Sequence, residues 1–140
     1  MAIKNYTTKI DSLTSIGEIQ SSLAKHGATK VMIDYENGDP IAVSFALNGP
    51  NGKCGFYLPA PVEGTIRVFK QQKVKVDEKQ VKRTAWRNVR DWVLAQMALV
   101  ESCDVAVDEV FFPYLANKSG NTIYQLYSNG QLLLWEGGVE

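Results

Sequence analysis

Between positions 77 and 103 the chain contains neither glycine nor proline, and no other feature constrains the fold as much. Those two residues are the strong breakers of a helix interior, costing about 1 and about 3 kcal/mol there. Within the stretch, Val81, Ala85, Val89, Trp92, Val93, Leu99 and Val100 fall on one broad arc at about 100° per residue. Asp77, with Gln80 three residues on, supplies a capped start. The pattern predicts a long amphipathic helix. Such a helix draws most of its stability from tertiary packing, so the rest of the chain must supply an apolar face to cover it.

That face is read from positions 30–58. Lys30 to Tyr35 alternates, with Val31, Ile33 and Tyr35 on one face. Asn37-Gly38-Asp39-Pro40 is a turn. Ile41, Val43, Phe45 and Leu47 then share one side of a strand, with Ala42, Ser44 and Ala46 on the other. A second turn spans 48–52, and Cys54, Phe56 and Leu58 continue the alternation until Pro59 and Pro61 stop it. The expectation is an antiparallel meander of three strands. Before it, Ser15 and Glu18 have the spacing of a capping box. Ile16, Ile19 and Leu23 share a helical face, and Gly27 suits a left-handed terminus, so a helix is expected over 16–26. A short strand is read at 3–10 and a fourth strand at 65–69. Lys70, Lys73 and Lys75 lie on an exposed connection. Near the C-terminus, 122–127 and 131–135 read as a hairpin, or as a short helix and then a strand.

Composition narrows the function classes. The chain of 140 residues is 45% hydrophobic and 21% charged, with 15 basic and 15 acidic side chains. A neutral molecule has no overall field to draw it to nucleic acid or an anionic membrane. Cys54, Cys103 and the single His26 cannot assemble a Cys/His zinc site, and no cofactor motif is present. No apolar run reaches the roughly 18 residues of a membrane span. The first ten residues lack the apolar core of a signal peptide. The expectation is a single cytoplasmic domain over 1–140, with both thiols reduced and neither metal nor cofactor.

Three clusters are candidate sites. On the polar side of the long helix, Arg83, Arg87 and Arg90 lie within about 60° of one another, with Lys79 and Trp86 on the flank. Arginine forks beside an aromatic ring suit phosphates and stacked bases, and the lysines at 70, 73 and 75 would extend the same surface. The competing reading is a solvated face, with Arg87 paired to Asp91 at i,i+4. Glu101, Asp104, Asp108 and Glu109 are acidic, but they gather around a helix end and lack a neighbouring lysine or histidine for phosphoryl chemistry. Phe111, Phe112 and Tyr114 form an aromatic segment that either anchors an interface or closes over the core.

Several of these pieces together resemble a widespread family of small uncharacterised phage and prophage proteins. They are 15–19 leading to His26-Gly27-Ala28, the strand at 41–47, and Phe56-Tyr57-Leu58-Pro59. Further along are Ala85-Trp86-Arg87, Trp92, the run 95–101, and 108–114. The likeness extends to about Tyr124. It implies a phage or mobile-element origin and carries no established activity. Proteins of this kind commonly serve nucleic-acid metabolism or inhibit host defence.

The sequence therefore reads as α+β: an antiparallel sheet of three to five strands, a short N-terminal helix, and one long amphipathic helix packed on it. The first functional expectation is a non-enzymatic binder of nucleic acid or a nucleotide through Arg83, Trp86, Arg87 and Arg90 with Lys70, Lys73 and Lys75. The alternative is an anti-defence inhibitor, anti-CRISPR-like or signal-sequestering, that acts on a host defence protein or nucleotide signal.

Overall fold

The computed structural model describes residues 1–132. The fold is α+β. Four antiparallel strands lie in the order β1-β2-β3-β4: β1 Lys30–Glu36, β2 Asp39–Gly49, β3 Gly52–Pro59 and β4 Leu115–Ala116. Helix α1 (Ser12–Lys25) precedes the sheet, and α2 (Val62–Gln71) and α3 (Glu78–Cys103) follow β3. Helix α3 has 26 residues and packs against α1 and α2. Beyond it come the single turn α4 (Val107–Val110), a 3₁₀ turn at Phe112–Tyr114, and α5 (Ile123–Ser128).

The meander forms as its alternation dictates. Asn37 and Gly38 both take positive φ, at 52° and 83°, as a two-residue hairpin turn of matching twist requires. Beyond the turn Asp34 faces Ala42 while Tyr35 faces Pro40, so Ile41 is an extra residue in β2. Val43, Phe45 and Leu47 of β2 and Phe56 and Leu58 of β3 form the inner face, all nearly inaccessible. Phe45 and Phe56 are register partners and stack at 5.0 Å. Ile16, Ile19 and Leu23 of α1 close over this face together with Trp86, Val89, Val93 and Met97 of α3.

Helix α1 begins earlier than its sequence suggests. Asp11 is its N-cap, with the side chain accepting from the Leu13 amide. Ser15, expected as the cap, is instead fully buried within the helix. Its C-terminus closes as expected: Gly27 takes φ 104°, the Ala28 amide donates to the Leu23 carbonyl at 3.0 Å and the Gly27 amide to Ala24 at 3.3 Å. Those two bonds satisfy the end of the helix in a Schellman motif.

Two expected strands are not present. Residues 65–69 lie inside α2, where Thr65 and Phe69 are buried one turn apart. The Thr65 hydroxyl donates to the Pro61 carbonyl at 2.7 Å, binding the first turn. Residues 3–10 form a turn at 4–7 within otherwise irregular chain that runs along the polar side of α3. There the Asn88 and Gln80 amides donate to the carbonyls of Lys4 and Thr8, at 3.0 and 2.9 Å. The Thr84 hydroxyl donates to the Asn5 carbonyl at 2.9 Å. Residues 122–127 resolve as helical: α5 carries a complete capping box between Thr122 and Gln125. From position 133 onward the segment read as 131–135 lies outside the described residues.

Candidate functional site

The arginines of α3 meet carboxylates supplied from elsewhere in the fold. Glu18, on α1, accepts from Arg90 Nε at 2.6 Å and from Arg87 Nη1 at 3.2 Å. Asp91 accepts from Arg90 Nη1 at 3.0 Å and from the Asn5 amide at 2.9 Å, and Lys4 Nζ lies 3.2 Å from it. The i,i+4 approach of Arg87 to Asp91 is longer, at 4.0 Å. Burial pushes the Asp91 carboxyl up, but the hydrogen bonds from Asn5, Arg90 and Lys4 outweigh it and hold the group below its ordinary value. Burial likewise opposes the charge on Arg90, and its bonds to Asp91 and Glu18 raise its pKa nonetheless. The mutual repulsion of Arg87 and Arg90 is thus answered within the chain.

Trp86 does not lie on the surface flank. Its side chain is wholly inaccessible and belongs to the core, with Nε1 lacking a partner among the described residues. Arg83 donates to the Gln80 side chain, while its Nε is buried without a partner there. Lys70, Lys73 and Lys75 are exposed, as expected, but Lys70 lies in the last turn of α2 and not on the connection that follows it. Lys73 sits at φ 58°, in a second left-handed helix terminus where the Val74 amide donates to the Phe69 carbonyl at 2.9 Å. None of these three lysines forms a salt bridge among the described residues.

Two of the four acidic candidates, Glu101 and Asp104, have structural duties. Glu101 lies 2.6 Å from His26 Nε2, while His26 Nδ1 lies 2.7 Å from the Ser22 carbonyl. The bond from His26 holds the Glu101 carboxyl below its ordinary value. Asp104 caps α3 in the left-handed region at φ 55°. Among the described residues no three Asp, Glu, His or Cys side chains gather as a metal site. Cys54 and Cys103 are free thiols, and burial raises the pKa of the Cys54 thiol, with a smaller contribution from Asp108.

The aromatic segment divides in two. Phe111 is fully buried, with its ring edge-on to Phe45 at 5.3 Å and to Trp92 at 5.4 Å. Phe112 is half exposed. Trp92 passes the contact outward to Tyr114 at 5.7 Å. Tyr114 in turn lines a cleft of about 320 Å³ with Tyr57, Pro59, Pro113, Thr122, Tyr124 and Gln125. A second cleft of about 350 Å³ adjoins it, sharing Pro59 and Tyr114 and adding Pro61 and Trp92. A third, about 460 Å³, shares Tyr57, Pro59 and Pro61 and ends among Glu36, Asp39, Glu63 and Lys82. Lys82 is paired with Asp39 at 3.0 Å. The three clefts adjoin through shared rim residues, Tyr57, Pro59, Pro61 and Tyr114, and form a segmented trough around the end of β3, lined by tyrosine, tryptophan and proline and acidic at one end. The polar groups of Thr122 and Gln125 are already engaged in capping α5. Sequence reasoning singled out Tyr114 but not Tyr57, Tyr124 or the prolines, which come from three separate stretches of chain.

No protein-family model matches the chain, and no curated protein or solved structure matches it.

Proposed function

We propose that this is a small non-enzymatic binding protein whose ligand is a segment of a protein partner, held in the aromatic and proline trough. The trough itself is the observation that carries the reading. Its walls are apolar and ringed, and the polar groups of Thr122 and Gln125 within them are committed to local structure. Aromatic-lined grooves of this kind take extended, proline-containing segments, whose conformation is already restricted before binding. The carboxylates at one end favour a basic residue on the partner and disfavour a phosphate backbone. The resemblance of the α3 motif to phage and prophage proteins supports a phage origin, and with it a host defence protein as the partner.

A second reading, nucleic acid or nucleotide binding, keeps one observation in its favour: Lys70, Lys73 and Lys75 are exposed cations without carboxylate partners among the described residues, and Arg83 lies on the helix that follows. Arg87, Arg90 and Trp86 no longer support it, being internally paired or buried.

Two substitution sets separate the readings. Tyr124→Ala should abolish protection of a phage from a defended host, while Lys70→Ala/Lys73→Ala/Lys75→Ala should leave it intact. The converse pattern, together with oligonucleotide affinity falling on a log–log salt slope of about −0.7 to −0.9 per phosphate contacted, would overturn the first reading in favour of the second.

A further inference from the structure

The sheet is closed on one side by the two-residue strand β4, but on the other it ends in β1, whose outer edge has no strand partner among the described residues. An unpaired edge is a template for another chain, and proteins usually blunt it with bulges, proline or inward charges. Here the extra residue, Ile41, and Pro40 both belong to β2, so β1 itself runs regularly for seven residues. Met32 and Tyr35 are more than half exposed along it, at 57% and 58%.

We infer that β1 pairs with β1 of a second copy about a two-fold axis, joining two sheets into one. The charges of the strand define the register. An antiparallel pairing centred on Ile33 sets Lys30 of each copy opposite Glu36 of the other, and does so twice by symmetry. Neither side chain is engaged in a salt bridge within the described chain, and both are exposed. Opposite charges directly across an antiparallel pair stabilise it, and like charges destabilise it. On the inner face the same register sets Ile33 against its own copy and lays each exposed Tyr35 over Val31 of the other. On the outer face Met32 meets Asp34, whose carboxylate is already turned to Ser44 of its own sheet at 2.7 Å. Pairing centred on Met32 would instead set Lys30 opposite Asp34, but that carboxylate is already bonded to Ser44, whereas Glu36 is exposed and without a salt-bridge partner among the described residues, so the register centred on Ile33 is the one that gains a new ion pair.

One strand from each copy makes a small interface, so the dimer should be weak, with a Kd on the order of tens of micromolar. Sedimentation across a concentration series tests it on the full chain. Wild type should pass from monomer to dimer. Lys30→Glu and Glu36→Lys each place two like-charge pairs across the axis and should weaken self-association by roughly tenfold or more. The double variant Lys30→Glu/Glu36→Lys restores opposite charges and should dimerise again. Mixing the two single variants should give a heterodimer, since every pair is then attractive. Circular dichroism confirms that each variant is folded. A wild type that stays monomeric to millimolar concentration, self-association indifferent to the single changes, or a double variant no better than either single one would overturn the inference.

Discussion

Phe111 and Phe112 are adjacent, chemically identical and placed in opposite environments, so truncating each in turn gives a controlled comparison. Phe111 is fully buried and holds two edge-to-face contacts, one to the sheet through Phe45 and one to α3 through Trp92. Removing a buried phenylalanine ring costs about 3–5 kcal/mol, the loss of transfer energy plus the cavity left behind. The two ring contacts, at about 0.5–1.5 kcal/mol each, are part of that sum and not additional to it. Phe112 is 50% exposed, and substitutions at such sites usually stay within about 0.5 kcal/mol. Urea denaturation followed by tryptophan fluorescence measures both. Phe111→Ala should lower the midpoint by an amount matching at least about 3 kcal/mol, with the slope unchanged. Phe112→Ala should be close to wild type. The near-ultraviolet circular dichroism of Phe111→Ala should also weaken, because Trp92 loses a ring neighbour. A Phe111→Ala cost below about 1 kcal/mol, or equal costs at the two positions, would refute the placement of Phe111 as the pin joining the 3₁₀ turn to the core.

Glu18→Gln should cost about 1–3 kcal/mol in the same assay, because it leaves the largely covered Arg87 and Arg90 guanidiniums short of an anionic acceptor; a neutral result would mean solvent serves them equally well. Asp91 has a folded pKa depressed below its ordinary 3.8. Its stabilisation is therefore fully present above that value and is lost as pH falls through the folded-state pKa. Asp91→Asn should flatten the acid limb of the stability–pH curve, and an unaltered limb would contradict the pairing. In the native protein the exposed Cys103 should react with a thiol reagent before Cys54, whose thiol is half-buried and raised in pKa; two thiols in total should titrate once the chain is unfolded without reductant.

The elements that were legible in the sequence are those whose signals are local. The meander follows from strict alternation bounded by Asn-Gly and proline, and α3 from a long stretch without breakers. Residues 65–69 were misread because Thr, Ile, Val and Phe favour strands on composition, while the decisive pairing of Thr65 with Phe69 one helical turn apart rests on only two residues. Trp86 sat on the edge of the apolar arc. It is buried because α3 packs against α1 and α2 as well as sharing a core with the sheet, so its covered arc is wider than one face requires. Ser15 and Glu18 matched a capping box by spacing alone. Asp11 takes the cap, and Glu18 is drawn to Arg87 and Arg90 about seventy residues away, a pairing no local spacing discloses. The trough was invisible for the same reason. Its walls join Tyr57 and Pro59 at the end of β3 to Pro113, Tyr114 and Tyr124, which are contiguous only after folding.

The central claim, that the trough and not the arginine face of α3 is the binding surface, is tested most directly by position-specific photo-crosslinking in living cells. A photoreactive phenylalanine replaces Tyr124, which is 59% exposed in the trough, or Lys73 on the basic connection, or Leu13, which is 62% exposed and outside both. The account predicts one discrete protein adduct at position 124, none at 13, and no nucleic-acid adduct at 73. A nucleic-acid adduct at position 73 with no protein adduct at 124 would contradict it.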